Sequence, residues 1–279
     1  MRNVDIRIDF TKSAQENAQD YFGMSKKAKK KAEGAERSAK ELRGLLSKEE
    51  AVAPKKKELR KIVEREWYEK FNWFFTSSDM LVIGGRSAQQ NELVNSRHFG
   101  QNDLFFHADV FGASVTILKD GINSTREIRD EAAQFAACYS SAWENGSSTA
   151  SVYSLRREQI TKSTGKGSLG TGSFLMSGER EWFRNMALEL CAFTEEGRDN
   201  SHEIRIVPAL TCARRGIKGF LALRPGNSKK SDAAKFIAKR LGYSDIDYIM
   251  QHLPAGSFSL KLTDKQPHGQ REGNAPVQI

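Results

Sequence analysis

The sequence has little of what marks a secreted, membrane-spanning or metal-organised protein. Its three cysteines, Cys138, Cys191 and Cys212, are widely spaced without a CxxC pair, which supports neither a disulfide framework nor a zinc ribbon. No apolar run approaches the roughly 18 residues that span a bilayer, and the N-terminal MRNVDIRIDF lacks the apolar stretch of a secretory signal. We therefore expect a cytoplasmic protein that binds no membrane, metal or cofactor.

The excess of positive charge favours partners that are negatively charged. Lys and Arg together number 44 against 35 Asp and Glu, which gives a net charge of +9. Such a surface attracts polyanions, and RNA, DNA and anionic membranes are all compatible with this charge taken alone. The hydrophobic content of 38% allows one sizeable core with an extended element attached.

The N-terminal 72 residues predict a strand followed by a helical hairpin. Apolar side chains at period two, from Val4 to Phe10, predict a half-buried strand over residues 1–11. An alternation of four and three then follows, typical of a coiled-coil seam; its members are Ala14, Ala18, Tyr21, Ser25, Ala28, Ala32, Ala35, Ala39, Leu42 and Leu46. Pro54 suits the start of a second helix, whose apolar face is Leu59, Ile62, Val63, Trp67, Phe71 and Phe74. We predict an antiparallel coiled-coil hairpin over residues 12–72.

The first arm of this hairpin contains the densest cluster of positive charge. In SKKAKKK, Lys26 and Lys30 are one helical turn apart, as are Lys27 and Lys31, so each pair projects on the same side of a helix. A lysine stripe of this kind suits the phosphates of a nucleic acid. A solvated helix face explains the same cluster, and the sequence leaves both interpretations open.

Residues 73–263 predict an α+β (mixed α/β) domain. Short apolar segments typical of strands (WFFT, MLVI, DLFFHA, SVTIL, SVYSL, SFLMS, EIRIV and FLALRP) alternate with helix candidates at 88–97, 125–145 and 231–241. Gly242 suits a left-handed cap at the end of the third helix. The polar residues 264–279 are rich in Gly, Pro and Gln, and we predict a disordered tail there.

The segment MLVIGGRSAQQNELV has the strand, glycine turn and helix start of a phosphate-binding loop. It nevertheless lacks the third glycine of a dinucleotide fingerprint and the lysine of a Walker loop. Ser87 and Gln90 fit a capping box at the start of a helix. A capped junction alone explains the pattern, and so does a junction that binds one phosphate of a polymer through its N–H groups and Arg86. We include Arg86, Asn91 and Arg97 among the candidate RNA contacts.

A pair of polar residues downstream resembles the beginning of an active site. His107 and Asp109 are two apart in a predicted strand and therefore share a face. Such a pair can hold a divalent ion or perform general acid–base work, although a buried, hydrogen-bonded histidine is the more common explanation. We assign no catalytic residue and keep His107 as a candidate RNA contact.

Two further basic segments complete the candidate RNA contacts. One contributes Arg156, Arg157 and Lys162 next to a glycine-rich loop, and the other places Lys229 and Lys230 at a helix start. Either segment alone can be a solvated loop. Together they favour a surface for a polyanion, provided that the fold brings them to one side.

Several motifs in order resemble the NFACT proteins, which are ribosome quality-control factors. The motifs are IGGRSAQQNELV, DLFFHADVFGAS, AACYSSAW and the glycine-rich block ending in GSFLMSG, flanked by VDIRIDFTKSAQENAQDYFGMSKKAKKK and LRPGNSKKSDAAKFIAKRL. The resemblance implies an NFACT RNA-binding domain over residues 73–263. It also implies a protein that binds RNA and associates with tRNA and the large ribosomal subunit when peptidyl-tRNA obstructs that subunit.

The resemblance also bears on two alternatives. Family members carry an NFACT-N domain and a helix-hairpin-helix segment before the coiled coil, and this chain begins at the strand that precedes the coiled coil. We therefore do not expect template-free tail synthesis from this chain alone. One alternative is a coiled-coil partner subunit of a separate NFACT-N chain; the other is a metal-dependent RNA or tRNA hydrolase that uses His107 and Asp109.

Overall fold

A computed structural model describes residues 8–19, 21–26, 28–29, 32–33, 36, 66–164, 167–197 and 202–263. The chain divides into two units, residues 1–64 and residues 65–279. None of the helices in the described ranges is long and apolar enough to cross a membrane.

The described part of the first unit is a turn followed by the start of a helix. Residues 8–11 are not a strand, because Asp9 folds the chain by accepting hydrogen bonds from the Thr11 N–H (2.9 Å) and hydroxyl (2.6 Å). Ser13 and Glu16 then form a reciprocal capping box, and residues 14–19 and 21–26 are helical. Most of the predicted hairpin, including Lys27, Lys30 and Lys31, lies outside the described residues, so the hairpin stays a prediction.

The second unit contains fourteen strands and six α-helices within its described ranges. The strands are β1 (Asn72–Phe75), β2 (Leu81–Gly84), β3 (Leu104–Ala108), β4 (Thr116–Leu118), β5 (Thr149–Arg156), β6 (Ile160–Thr161), β7 (Ser163–Thr164), β8 (Gly167–Ser168), β9 (Leu175–Met176), β10 (Glu181–Ala187), β11 (Leu190–Glu196), β12 (His202–Pro208), β13 (Phe220–Ser228) and β14 (Phe258–Thr263). The helices are α1 (Ala88–Arg97), α2 (Arg126–Cys138), α3 (Ser141–Glu144), α4 (Ala209–Arg214), α5 (Lys230–Leu241) and α6 (Ile246–His252).

Two antiparallel sheets organise the second unit. The larger has six strands in the order β1-β2-β4-β3-β5-β10, and the smaller has four in the order β12-β11-β13-β14. Helix α2 packs against β3, β4, β5 and β10 of the larger sheet and also against β12 of the smaller one. The main core therefore surrounds this helix, whose Ala132, Phe135 and Ala136 are fully buried.

The larger sheet is buried on both faces, which explains the continuous apolar runs in its strands. In β3, Phe106 points into the main core around α2, whereas its neighbour Phe105 points into a second core on the opposite face. Successive side chains of a strand alternate between faces, so a strand covered on both sides needs apolar residues at successive positions. Val94 of α1 is buried in the second core.

The predicted helix ends agree with the structure where residues close in sequence determine them. Helix α1 spans the predicted 88–97, and α5 ends at Gly242 in the left-handed conformation (φ 67°). The prediction of one helix over 125–145 is wrong, because Ser140 breaks it by accepting a hydrogen bond from the Ala142 N–H (3.3 Å) and starting α3. The helical face predicted through Phe74 is also wrong, since Phe74 lies in β1.

A buried carboxylate joins α2 to two other parts of the unit. Glu131 is 0% exposed and accepts hydrogen bonds from the Ser77 N–H (2.8 Å) in the β1–β2 turn and from the Thr211 hydroxyl (2.9 Å) of α4. The guanidinium of Arg214 lies 3.1 Å from the same carboxylate. A buried charge is tolerated when it is paired and hydrogen-bonded in this way.

We predict that Glu131→Ala lowers the free energy of unfolding by about 3 kcal/mol, because it removes the partner of Arg214 and leaves the Ser77 and Thr211 donors unsatisfied. Chemical denaturation measures this loss. Glu127→Ala is the matched control, since Glu127 is an exposed carboxylate on the same helix; we expect a much smaller loss of stability there. Equal losses in the two variants would contradict the assigned role of Glu131.

Candidate nucleic-acid interface

Six segments of the chain line one cleft of about 550 Å³, together with Asn72 of β1. They are the turn from β2 into α1, the end of β3 with the loop after it, the α2–α3 junction, the glycine-rich loop before β9, the start of α5 and the segment that follows α6. We call this the α1 cleft. Four candidates from the sequence line it: Arg86, Asn91, His107 and Lys230.

The β2–α1 turn places Arg86 at the cleft. The Gly85 N–H donates to the Val115 carbonyl (3.0 Å), and a Cβ at Gly85 would lie 2.8 Å from the Asn91 nitrogen, so the close approach requires glycine. Ser87 is the N-cap of α1 and accepts from the Gln90 N–H (3.3 Å). The Gln90 side chain accepts from the Arg86 N–H (2.9 Å) rather than from Ser87, which fixes the backbone of Arg86.

The guanidinium of Arg86 is held by neutral acceptors. Its Nε donates to Asn72 Oδ1 (3.1 Å), and its Nη2 donates to the Phe71 carbonyl (2.6 Å) and to His252 Nε2 (2.9 Å). Because His252 Nδ1 lies 2.8 Å from the Tyr248 carbonyl, the neutral tautomer protonated at Nδ1 satisfies both contacts. Burial lowers the pKa of Arg86. Nη1 has no acceptor among the described residues, so it is available to a ligand.

Lys230 is the second cation of the cleft. It is half-buried, and one of its N–H groups donates to the Leu253 carbonyl (2.7 Å). Burial is the main cause that lowers the pKa of Lys230, and the positive charge of Arg86 adds to it. Its neighbour Lys229 is fully outside the cleft lining and exposed, so the two adjacent lysines have different surroundings.

Neither cation of the cleft is paired with a carboxylate within the described structure. Neither Arg86 nor Lys230 forms an ion pair there, and no carboxylate contributes to the shift of either pKa. Glu144 at the end of α3 also lines the cleft. Two half-buried cations that raise each other's electrostatic free energy make a site that an anion stabilises.

An exposed aromatic ring stands at the same cleft. Phe111 follows β3 and is 100% exposed. Its backbone is nevertheless anchored, because the Ser141 hydroxyl donates to the Phe111 carbonyl (2.6 Å). Gly112 takes a positive φ of 79° directly after it, a turn that glycine adopts without strain. The structure thus presents an apolar ring to solvent from a fixed loop.

His107 and Asp109 do not assemble a metal site in the described ranges. His107 lines the cleft, with Nδ1 3.3 Å from the Tyr153 hydroxyl, whereas Asp109 is exposed and does not line it. No group of three His, Cys, Asp or Glu side chains that could hold a metal occurs among those residues. Burial lowers the pKa of His107, and the carboxylate of Asp109 opposes this shift only in part.

Two of the predicted contacts hold the cleft together. The Asn91 side chain accepts a hydrogen bond from the Val115 N–H (3.1 Å). Lys162 forms an ion pair with Glu92 of α1, and the same carboxylate accepts from the Gly172 N–H (3.2 Å) of the glycine-rich loop. Glu92 therefore fastens that loop to α1 and neutralises Lys162.

The remaining described candidates of the second unit do not line the α1 cleft. Arg97 is exposed in the last turn of α1, and Arg156 is exposed at the end of β5. Arg157 donates to the Ile160 carbonyl (3.0 Å) and its guanidinium lies 5.2 Å from the Phe99 ring centre. Lys26 belongs to the first unit and is exposed in its helical segment. The fold places Arg86 and Lys230 in one cleft, whereas Arg97, Arg156 and Arg157 do not line it.

The sequence did not identify several residues of the cleft. Phe111, Tyr139, Ser140 and Ser141 line it, and Tyr139 donates to the His252 carbonyl (2.5 Å). An isolated aromatic in the polar turn DVFGAS was the available signal for Phe111. Tyr139 fitted the apolar face of the predicted helix over 125–145, so nothing local separated it from the core residues.

Residues 70–178 match the family described as NFACT protein RNA binding domain. This range contains the β2–α1 turn, the Phe111 loop, the α2–α3 junction and the glycine-rich loop. Lys230 and the segment after α6 lie beyond it.

Curated relatives extend the similarity. The archaeal Rqc2 homolog aRqcH of Methanocaldococcus jannaschii is 36% identical over 74% of this chain and 30% of its own length. The ribosome quality control complex subunit NEMF homolog of Drosophila melanogaster is 33% identical over 66% of this chain and 19% of its own length. The chain thus spans less than a third of either relative.

Among solved structures, the C-terminal part of the fibronectin/fibrinogen-binding protein of Streptococcus suis is similar over 50% of this chain and 52% of that chain. The sequence identity is 22% and the TM-score is 0.37. A score of this size does not establish a common fold.

We predict that Gly85→Ala lowers the free energy of unfolding by about 1–3 kcal/mol, because its methyl group collides with Asn91 and displaces the start of α1. Thermal or chemical denaturation measures the loss. Gly170→Ala is the control, since no heavy atom lies within 4 Å of a Cβ there; its change should stay within about 0.5 kcal/mol. A Gly85→Ala variant as stable as this control would contradict the close packing of the turn.

The pKa of His107 lies below its ordinary 6.5 in the folded protein, chiefly through burial, so on acidification the unfolded chain binds this proton first. The free energy of unfolding should therefore fall as the pH drops from 6.5 towards the folded pKa. His107→Gln removes this contribution, and its stability should depend less steeply on pH in that window. Denaturation curves with equal pH dependence for both proteins would show that the pKa is not lowered.

Proposed function

The chain carries an NFACT RNA-binding domain and is homologous to the Rqc2 and NEMF ribosome quality control proteins, and from this premise we propose that it binds RNA through the α1 cleft. In this proposal the ligands are the RNA of the large ribosomal subunit and tRNA, and the role is the rescue of subunits obstructed by peptidyl-tRNA. The chain acts as a binding module.

One observation carries the proposal. Arg86 and Lys230 share a cleft without a carboxylate partner in the described structure, and each keeps N–H groups that no described acceptor occupies. An anion at this position satisfies those donors and removes the repulsion between the two charges. Phosphate is the anion that an RNA offers, and contacts to phosphate give sequence-independent affinity.

The other basic residues extend this surface in the proposal. Arg97, Arg156 and Lys229 are exposed and supply contacts to the backbone of a long RNA. The lysine stripe formed by Lys26, Lys27, Lys30 and Lys31 supplies more in the first unit. These contacts set how strongly binding depends on salt rather than which nucleotide is bound.

The two alternatives have less support. The hydrolase alternative relies on His107 and Asp109, but Asp109 does not line the cleft and the described residues provide no third ligand beside them. The alternative of a coiled-coil partner subunit for a separate NFACT-N chain relies on the predicted hairpin, most of which lies outside the described residues. It stays a prediction from sequence and is compatible with RNA binding.

We predict that Lys230→Gln weakens binding to tRNA and to purified large ribosomal subunits, because it removes one positive charge from the cleft. The slope of log Kd against log salt should decrease by about 1, the value for one lost phosphate contact. Filter binding for tRNA and co-sedimentation for subunits, each over a salt series, measure the slope.

Lys218→Gln is the matched control for this measurement. Lys218 is exposed and outside the cleft, so the variant loses the same charge while the cleft is unchanged, and its slope should be close to that of the unmodified protein. Equal effects of the two substitutions would show that only the net charge matters and would remove the cleft from the proposal. No detectable binding of either RNA at moderate salt would overturn the proposed function itself.

A further inference from the structure

The exposed ring of Phe111 is an apolar surface in the cleft, and contacts to phosphate do not explain its exposure. A phenylalanine that is 100% exposed leaves a large apolar surface in water. Its loop is fixed from both sides, since the Ser141 hydroxyl binds the Phe111 carbonyl (2.6 Å) and the Asp109 N–H donates to the Ser151 carbonyl (2.8 Å). The ring is therefore held out by a structured loop that lines the same cleft as Arg86 and Lys230.

We propose that the α1 cleft captures a single unpaired nucleotide of the bound RNA, with Phe111 stacked on its base and Arg86 and Lys230 in contact with its phosphate. This inference rests on the proposed function, because it specifies which part of an RNA the cleft recognises. Every nucleotide offers a flat base next to an anionic phosphate, which are the two chemistries that this cleft presents.

The base has to be unpaired. In a double helix the bases are stacked on one another, and the deep, narrow major groove of RNA keeps side chains from the base edges. A protruding phenyl ring can stack only on a base that has left the helix, as in a loop, a bulge or a single strand. The volume of about 550 Å³ is within the roughly 300–1,000 Å³ typical of small-molecule clefts, so one nucleotide fits where a helical stem does not.

The charges of the cleft orient this nucleotide. Arg86 and Lys230 are connected to the end of α6 and the residue after it, through His252 and the Leu253 carbonyl. Glu144 lies on α3, the helix that also carries Ser141 and thereby holds Phe111. A carboxylate repels phosphate and accepts hydrogen bonds from the N–H groups of a base. The phosphate therefore belongs on the side of the two cations, and the base on the side of Phe111 and Glu144.

The test compares an unstructured RNA oligonucleotide that carries 2-aminopurine with a blunt RNA duplex of the same length. We expect the unmodified protein to bind the single strand more tightly and to quench the 2-aminopurine fluorescence by stacking. Phe111→Ala should weaken single-strand binding by about 5- to 100-fold, the range for one lost stacked base, and should remove the quenching. Binding to the duplex, which uses the backbone alone, should change little.

Two further variants make the result specific. Phe111→Trp keeps an aromatic ring and should retain both affinity and quenching. Phe236→Ala removes another exposed phenyl ring, 50% exposed on α5 and outside the cleft, and should bind like the unmodified protein. Because both rings are exposed, neither alanine substitution removes a core contact.

The contrary outcomes separate the stacking inference from the proposed function. If Phe111→Ala binds the single strand as tightly as the unmodified protein, the stacking inference is overturned while RNA binding stands; this is also the result expected if Phe111 docks a protein instead. A preference for the duplex, or an equal loss in Phe236→Ala, overturns it as well. The proposed function fails separately, when the unmodified protein binds neither tRNA nor large subunits.

Discussion

The α1 cleft depends on the way in which the guanidinium of Arg86 is satisfied. Its Nε and Nη2 donate to a side-chain amide, to backbone carbonyls and to a neutral imidazole, which belong to Asn72, Phe71 and His252. These acceptors satisfy the buried donors, so the side chain can be partly removed from water. They carry no negative charge, however, and the full positive charge of Arg86 remains directed at the cleft.

Other cations of the same unit are neutralised. Arg214 lies against the buried Glu131, Lys162 against Glu92, and Lys119 against Asp103. In each case a carboxylate supplies both the hydrogen-bond acceptor and the opposite charge, and the pair serves to connect elements of the fold. This contrast separates structural from functional basic residues. Those paired with carboxylates stabilise the fold. Arg86 and Lys230 are held by neutral groups, so their charge is available to a ligand.

The sequence predicts those parts of the fold that are encoded locally. The Ser87 cap and the Gly242 cap are correct because each depends on residues within one turn of the helix end. Strand β10 was not predicted, since Asn185 adopts a positive φ and the register shifts between Phe183 and Met186, which breaks the alternation. The candidate site shows the same division. Its motifs are visible in the sequence, but Arg86 and Lys230 line one cleft only through the tertiary fold, and no local pattern distinguishes Lys230 from Lys229.

The last residue of α6, His252, and the residue after it, Leu253, hold Arg86 and Lys230 in place before any ligand binds. Tyr139 donates to the His252 carbonyl (2.5 Å), Lys230 donates to the next carbonyl, that of Leu253 (2.7 Å), and the His252 ring accepts from Arg86 (2.9 Å). These bonds tie α2, α5 and the β2–α1 turn to two consecutive residues. An anion that binds between Arg86 and Lys230 therefore meets donors already in place, and the cost of ordering them is met during folding rather than during binding. The same bonds hold Arg86 and Lys230 in one cleft of the free protein against their repulsion, and binding of an anion relieves that repulsion.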